Sequence, residues 1–275
     1  MIKQDSLYPP HVWFGVGRTH VVMAECLALA PCVLVALLYG PPLHRVMLWA
    51  VVVAVAGLME AVCAVVGKRR VEPRFVYYGL LFGVMLPPGC VLWQVMAAMA
   101  IGTVVSQKRL GGARLNNLHP ALTAYGVMTV VFSAPVEGAV LWGWANAGAS
   151  VLGALWLLFT GLRNRRMAAA VLMGVFGGVV PLSLFLGFGV WSSVAGGICF
   201  SALFLMADPC VAPFTQTAQW IFGIAAGVLM ALIAAAPESF FLVLLLCNAV
   251  APVLDDLVVE RHIRELKKPP RRSLV

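Results

Sequence analysis

Long apolar runs separated by short polar or basic breaks fill the chain from about residue 20 onward. Ten runs can be marked, at 20–40, 46–67, 75–87, 90–106, 119–133, 140–161, 167–188, 191–207, 218–236 and 239–258. A helix needs about 20 apolar residues to cross the hydrocarbon core of a bilayer. Several runs reach that length, so the pattern predicts an all-α, polytopic membrane protein with about ten transmembrane helices. Runs three (FVYYGLLFGVMLPP) and five (HPALTAYGVMTVVFS) are short and read as tilted, partial or re-entrant segments.

The breaks carry the charge. Lys68, Arg69, Arg70 and Arg74 separate runs two and three, Lys108, Arg109 and Arg114 separate four and five, and Arg163, Arg165 and Arg166 separate six and seven. Six more basic residues follow run ten, whereas the alternate breaks hold almost none, Arg45 excepted. Basic loops stay cytoplasmic, and with ten spans every one of them falls on one side together with both termini. A nine-span count would put the basic tail on the wrong side. The expected division is a cytoplasmic arm at 1–18, one integral membrane domain at 19–258 and a basic cytoplasmic tail at 259–275. The expected location is the bacterial cytoplasmic (inner) membrane. No cleavable signal peptide is expected, because the first apolar run is long enough to span.

Composition agrees: of 275 residues, 62% are hydrophobic and 11% charged, with a mean hydropathy of +0.95. No water-soluble domain covers its surface with so few polar groups. The formal net charge of +8 is explained by cytoplasmic loops, so a nucleic-acid partner is not expected. The seven cysteines are dispersed without CxxC spacing, and neither a disulfide framework nor a metal site is expected. The sequence shows no Walker loop, nucleophile elbow or HExxH, and no catalytic residue of a soluble enzyme is assigned.

Runs three to five resemble runs eight to ten. Tyr78–Pro88 (YGLLFGVMLPP) and Ser201–Pro209 (SALFLMADP) both end in proline, and a tryptophan-bearing span follows each. This predicts two five-helix repeats, 19–133 and 140–258, inverted in the membrane. Short, proline-interrupted segments at matching positions of such repeats point to a midplane site.

Polar residues inside apolar runs are costly and so are candidates for function. Glu60 stands in run two, where the alternatives are a carboxylate on an ion path and one reaching back to Lys68 or Arg69. For Glu25, in run one, interfacial hydration or pairing with Arg18 is the simpler expectation. Asp208-Pro209 interrupts a membrane-length run and is followed by Thr215, Gln216, Thr217 and Gln219. Asn248 precedes Pro252 by four residues and Asp255 by seven. Glu60, Asp208, Asn248 and Asp255 are therefore the ion-path candidates. Gly111, Gly112, Asn117, His119 and Pro120 form a loop entering run five. Its glycines permit close backbone approach, and Pro120 suits a first helical turn.

Four ordered stretches carry a resemblance to a known family: Gly79–Pro88 (GLLFGVMLPP), Lys108–Leu122 (KRLGGARLNNLHPAL), Met206–Gly223 (MADPCVAPFTQTAQWIFG) and Asn248–Asp255 (NAVAPVLD). The chain resembles the D subunit of the Rnf complex and the related B subunit of the sodium-translocating NADH:quinone oxidoreductase, over about Ser6 to Arg264. His119 stands where the family has asparagine, and Thr217-Ala218-Gln219 where it has basic residues. The resemblance implies a membrane subunit of a complex that couples electron transfer, between ferredoxin and NAD in the Rnf case, to translocation of Na+ or H+. It implies further membrane subunits and iron–sulfur and flavin subunits as partners, with membrane lipid around the chain. It also implies FMN, held through phosphate on a threonine between spans five and six. Here that loop shrinks to about Ser133–Glu137, and no threonine lies between Thr129 and Thr160. Ser150 is a poor substitute, so the covalent site is read as deleted and a non-covalent flavin is left open. The alternatives from other classes are a channel or secondary transporter on the same repeat, and a purely structural subunit.

Overall fold

The structure is a computed structural model describing residues 17–87, 89–106, 118–133, 143–186, 189–209, 212–233 and 237–266, those at 184–193, 237–240 and 265–266 by their backbone alone. Its helices are α1 (Arg18–Leu38), α2 (Pro42–Val66), α3 (Phe75–Met85), α4 (Leu92–Val105), α5 (Pro120–Val130), α6 (Trp144–Phe159), α7 (Arg165–Leu186), α8 (Gly189–Phe200), α9 (Gln216–Ile233) and α10 (Pro237–Leu266). A π-helical turn, Ser201–Met206, extends α8. All ten expected helices are present, within a few residues of the apolar runs, and the chain is an all-α polytopic membrane protein. Helix α10 runs on past residue 258 to Leu266. Its last turns are polar, with an exposed Arg264–Glu260 pair at i,i+4 spacing.

Length sorts the helices into two kinds. Five are long and apolar enough to cross a membrane, in α1, α2, α7, α9 and α10. Their outward faces carry large apolar side chains such as Leu27, Leu58, Phe176, Ile221 and Leu246, all exposed. So much bare apolar surface is stable only against lipid. By contrast α3 and α5 have 11 residues each, about 16 Å of helix at 1.5 Å per residue. Most of their residues are buried, among them Tyr77, Leu81, Phe82, Val84 and Met85 on α3 and Ala121–Gly126 on α5. Helices apolar all round belong in the interior, and half-length helices are tolerated at membrane depth only where protein covers their ends. The short runs are central helices, wrapped by the long ones.

Packing partners follow a regular order. Helix α2 packs on α4 and α7 on α9; α4 packs on α5 and α9 on α10; α1 packs on α3 and α6 on α8. Across the molecule α1 meets α6 and α5 meets α10. These are helices five apart in chain order. The most extensive of these pairings, α7 on α9, sets Gly174 against Gly227 and Ile224, Gly178 against Ala231, and Gly223 against Ala170. A Cβ at Gly227 would lie 2.2 Å from the Val171 carbonyl oxygen, and one at Gly174 2.2 Å from that of Ile224. The backbones touch because these positions lack side chains, as in small-xxx-small pairing of membrane helices.

Forcing α7 and α9 apart therefore tests the packing. Gly227→Val should lower stability by about 1–3 kcal/mol, the usual cost of overpacking, read as thermal unfolding in detergent. Gly148→Ala, where a Cβ meets nothing within 4 Å, should leave the melting temperature unchanged or raise it.

Candidate functional site

Two of the basic breaks, 68–74 and 163–166, meet at one end of the bundle, where Arg74 and Arg163 both reach Glu25 in a largely buried charged cluster. Its centre is Arg163, 3% exposed, in the five-residue turn between α6 and α7. Two helix caps fix that turn. Helix α6 ends at Thr160-Gly161, with Gly161 at φ +72°, a left-handed conformation that glycine adopts without strain. The Gly161 amide donates to Leu158 O (3.3 Å) and the Leu162 amide to Leu157 O (3.0 Å), which is the Schellman arrangement. Asn164 then caps α7, its Oδ1 accepting from the amides of Arg166 (3.0 Å) and Met167 (3.4 Å). Between the two caps lies Arg163, whose side chain turns inward.

Arg163 meets four groups from three elements. Its Nη1 lies 3.5 Å from Glu25 Oε1 of α1 and 3.3 Å from Asp208 Oδ2. Its Nη2 donates to Tyr77 Oη of α3 (2.6 Å) and to Phe204 O (3.5 Å). The Phe204 carbonyl is available because the π-turn ends at Asp208-Pro209, and proline has no N–H to offer it. All six residues of that turn are wholly or almost wholly buried, and π-turns recur at functional sites. Burial works against the guanidinium charge, but Asp208, Tyr77 and Glu25 more than offset it and hold Arg163 above its ordinary pKa.

Two further residues complete the cluster. Arg74, at the start of α3, donates Nη2 to Glu25 Oε1 at 2.8 Å. His119, the N-cap of α5 ahead of Pro120, places Nε2 3.7 Å from Asp208 Oδ2 and packs edge-on against Tyr78, ring centroids 5.2 Å apart. Two carboxylates and two guanidiniums thus balance, with one imidazole in contact. Such a set is costly to bury and is held only by mutual pairing and hydrogen bonding. Its chemistry is that of a shared cation: Arg163 Nη1 bridges Glu25 and Asp208, and a change of charge on either would shift it toward the other.

Of the expected residues, Asp208, His119 and Pro120 come together here. Glu25 does too, but its partners are Arg74 and Arg163, not Arg18: two turns along α1 its carboxylate is fully buried and beyond interfacial water. Glu60 takes a different place. It pairs with Arg69 through both carboxylate oxygens, Nη2 to Oε2 at 3.0 Å, and accepts the Glu72 amide at 3.0 Å. It thereby clamps the α2–α3 loop, and its hydrogen bond raises Arg69 above its ordinary pKa. Asp255 of α10 accepts from the amides of Phe214 (2.8 Å) and Thr215 (2.9 Å) and from Thr215 Oγ1 (2.8 Å), pinning the start of α9. Asn248 is wholly buried, and neither of its amide atoms has a partner among the described residues. Pro252 also removes the N–H that would bond its carbonyl. Gly111, Gly112 and Asn117 lie outside the described residues. Arg163, Arg74 and Tyr77 were missed as site residues. The Gly-Leu-Arg-Asn string, a C-cap glycine two residues before an arginine and three before an N-cap asparagine, is the signal that marks the first of them.

Ser150 is fully buried in the interior of α6, its Oγ 3.5 Å from Cys32 Sγ of α1. A phosphate-linked flavin does not fit there without parting α1 from α6.

The family model described as NQR2, RnfD, RnfE matches residues 7–146 and 136–264. The chain belongs to this family. Among curated relatives, the B subunit of the Na(+)-translocating NADH-quinone reductase of Stutzerimonas stutzeri is 30% identical, the match covering 79% of this chain and 67% of the relative. The same-named protein of Klebsiella pneumoniae strain 342 is 26% identical, with 97% and 76% covered. The alignment to the Stutzerimonas family member runs over 276 positions while using 79% of the 275-residue chain. That relative therefore carries internal residues with no counterpart here, and the family match divides at 136–146, between α5 and α6.

If the cluster holds together by pairing, Arg163→Gln should destabilise the protein by about 3–5 kcal/mol, since it strands the buried Asp208 and leaves Glu25 to Arg74 alone. Adding Asp208→Asn or Glu25→Gln to that variant should restore part of the loss in detergent melts. Simple additivity of the two costs would contradict the pairing.

Proposed function

We propose that this chain is a membrane subunit of an ion-translocating oxidoreductase complex, of the Rnf type, in the bacterial cytoplasmic membrane with both termini cytoplasmic. Family membership and the names of its relatives support the general reading, and the four motif stretches support the family that the Rnf subunit shares with them. The two basic breaks that meet at one end support the orientation. The observation that carries the functional role is Arg163, buried and shared between Glu25 and Asp208.

In this reading Asp208 and Glu25 form a gate at the cytoplasmic end of the bundle. Entry of Na+ or H+ onto one carboxylate weakens its hold on Arg163, which then moves toward the other. Because these groups sit on α1, α3, the α6–α7 turn and the break after α8, one such shift pulls on both halves of the molecule. Asn248 continues the ion path at the depth of the α10 break, while Glu60 and Asp255 hold the loops that frame the gate. The partners are the other membrane subunits and the iron–sulfur and flavin subunits of the complex.

We also propose that the chain carries no covalent flavin, the residues missing between α5 and α6 being those that bear it in relatives. Buried Ser150 supports this, and electrons then pass through partner subunits or a flavin held without a covalent bond. When bound, such a flavin supplies one- and two-electron transfer; this chain's residues would supply only its enclosure.

Two measurements test the proposal. Tagged chain isolated from native membranes should bring down redox subunits, and proteoliposomes of that complex should take up cation only when an electron donor is added. Donor-independent flux through the isolated chain would instead make it a channel or secondary transporter. After denaturing electrophoresis, a fluorescent flavin band at this chain's mass would sink the no-covalent-flavin reading.

A further inference from the structure

The opposite end of the bundle holds a second buried arginine. Arg45, in the first turn of α2, is 3% exposed, and its Nε and Nη2 are buried without a hydrogen-bond partner. No carboxylate among the described residues pairs with it. Its side chain runs back toward the helix start, as helical side chains do, and lies on Gly40. A Cβ at Gly40 would come within 2.8 Å of both Cζ and Nη2, so the absence of a side chain there makes the space the guanidinium occupies.

The helix start adds to the same charge. Pro41 is the N-cap and Pro42 opens α2, with no side chain capping the free amides of Leu43 and His44. This is the positive end of a 25-residue helix. Around it Leu38, Tyr39, Leu43, Val46 and Met47 are exposed, an apolar collar of the kind that lies against acyl chains. A guanidinium covered by such groups without a counter-charge is strongly unfavourable.

We propose that Arg45 and the start of α2 bind the phosphate of an anionic phospholipid. The phosphate supplies the missing negative charge, accepts from the guanidinium and from the Leu43 and His44 amides, and lets the acyl chains cover the collar. A free anion would satisfy the charge and leave the collar bare, so the lipid is the occupant the surface fits.

The test uses the complex purified in detergent, stripped of lipid and titrated with phosphatidylglycerol in mixed micelles. Wild type should retain phosphatidylglycerol in native mass spectra and melt at a higher temperature in its presence. An uncharged glycerolipid and inorganic phosphate should each fail to give that shift. Arg45→Gln should cut retained phosphatidylglycerol about tenfold, the scale of a lost charge-assisted contact, and abolish the shift. Arg45→Lys should keep part of both, and Gly40→Leu, which fills the guanidinium's space, should behave like Arg45→Gln. Equal retention by Arg45→Gln and wild type would overturn the proposal, as would a full shift from inorganic phosphate alone. So would an internal counter-ion: Glu137→Gln or Glu238→Gln would then mimic Arg45→Gln and show no added effect when combined with it.

Discussion

A guanidinium cannot be buried alone, and that constraint organises the basic end of this molecule. Arg163 turns inward between two closely spaced caps. Once there it must be neutralised, and the neutralising groups come from distant parts of the chain: Glu25 from the first helix and Asp208 from the break after the eighth. Arg74 in turn balances Glu25, and His119 sits against Asp208. Each charge is tolerable only because the others are in place, so the relative positions of α1, α3, α5, α6 and α8 are coupled at this one point.

The apolar scaffold makes that coupling possible. Half-length helices α3 and α5, mostly buried, bring their polar starts (half-buried Arg74 and buried His119) to the cluster. The π-turn before Asp208 does the same from the other half, leaving the Phe204 carbonyl for Arg163. The long helices supply the lipid-facing wall, in which α7 and α9 approach closely through Gly174, Gly178, Gly223 and Gly227. Glu60 and Asp255 brace loops around the cluster without joining it.

Much of this was legible in the sequence. Ten apolar runs gave ten helices, because burial and lipid exposure both select the same residue types along each span. That runs three and five are short was legible, since length is a property of the run itself, but they read as tilted, partial or re-entrant segments and not as the central helices they form. Asp208 was visible because a carboxylate interrupting a membrane-length run is costly, and His119 only as part of the loop that enters run five. What stayed hidden were partners. Arg163 reads as one more basic loop residue beside Arg165 and Arg166, and only its place between two caps separates it from them. Glu25 reads as interfacial because the sequence shows its distance from Arg18 but not that α3 and the α6–α7 turn close over it. Ion pairs spanning 49 residues (Arg74–Glu25) and 45 (Arg163–Asp208) leave no local pattern.

A shared arginine that links cation entry to electron transfer must show itself in the coupling between the two. The decisive quantity is the number of cations taken up per electron transferred, in proteoliposomes of the complete complex carrying Asp208→Asn. Electron transfer should continue in that variant while the ratio falls well below the wild-type value, because Arg163 then rests on Glu25 alone. A wild-type ratio, with the complex intact, would contradict a gating role for the cluster.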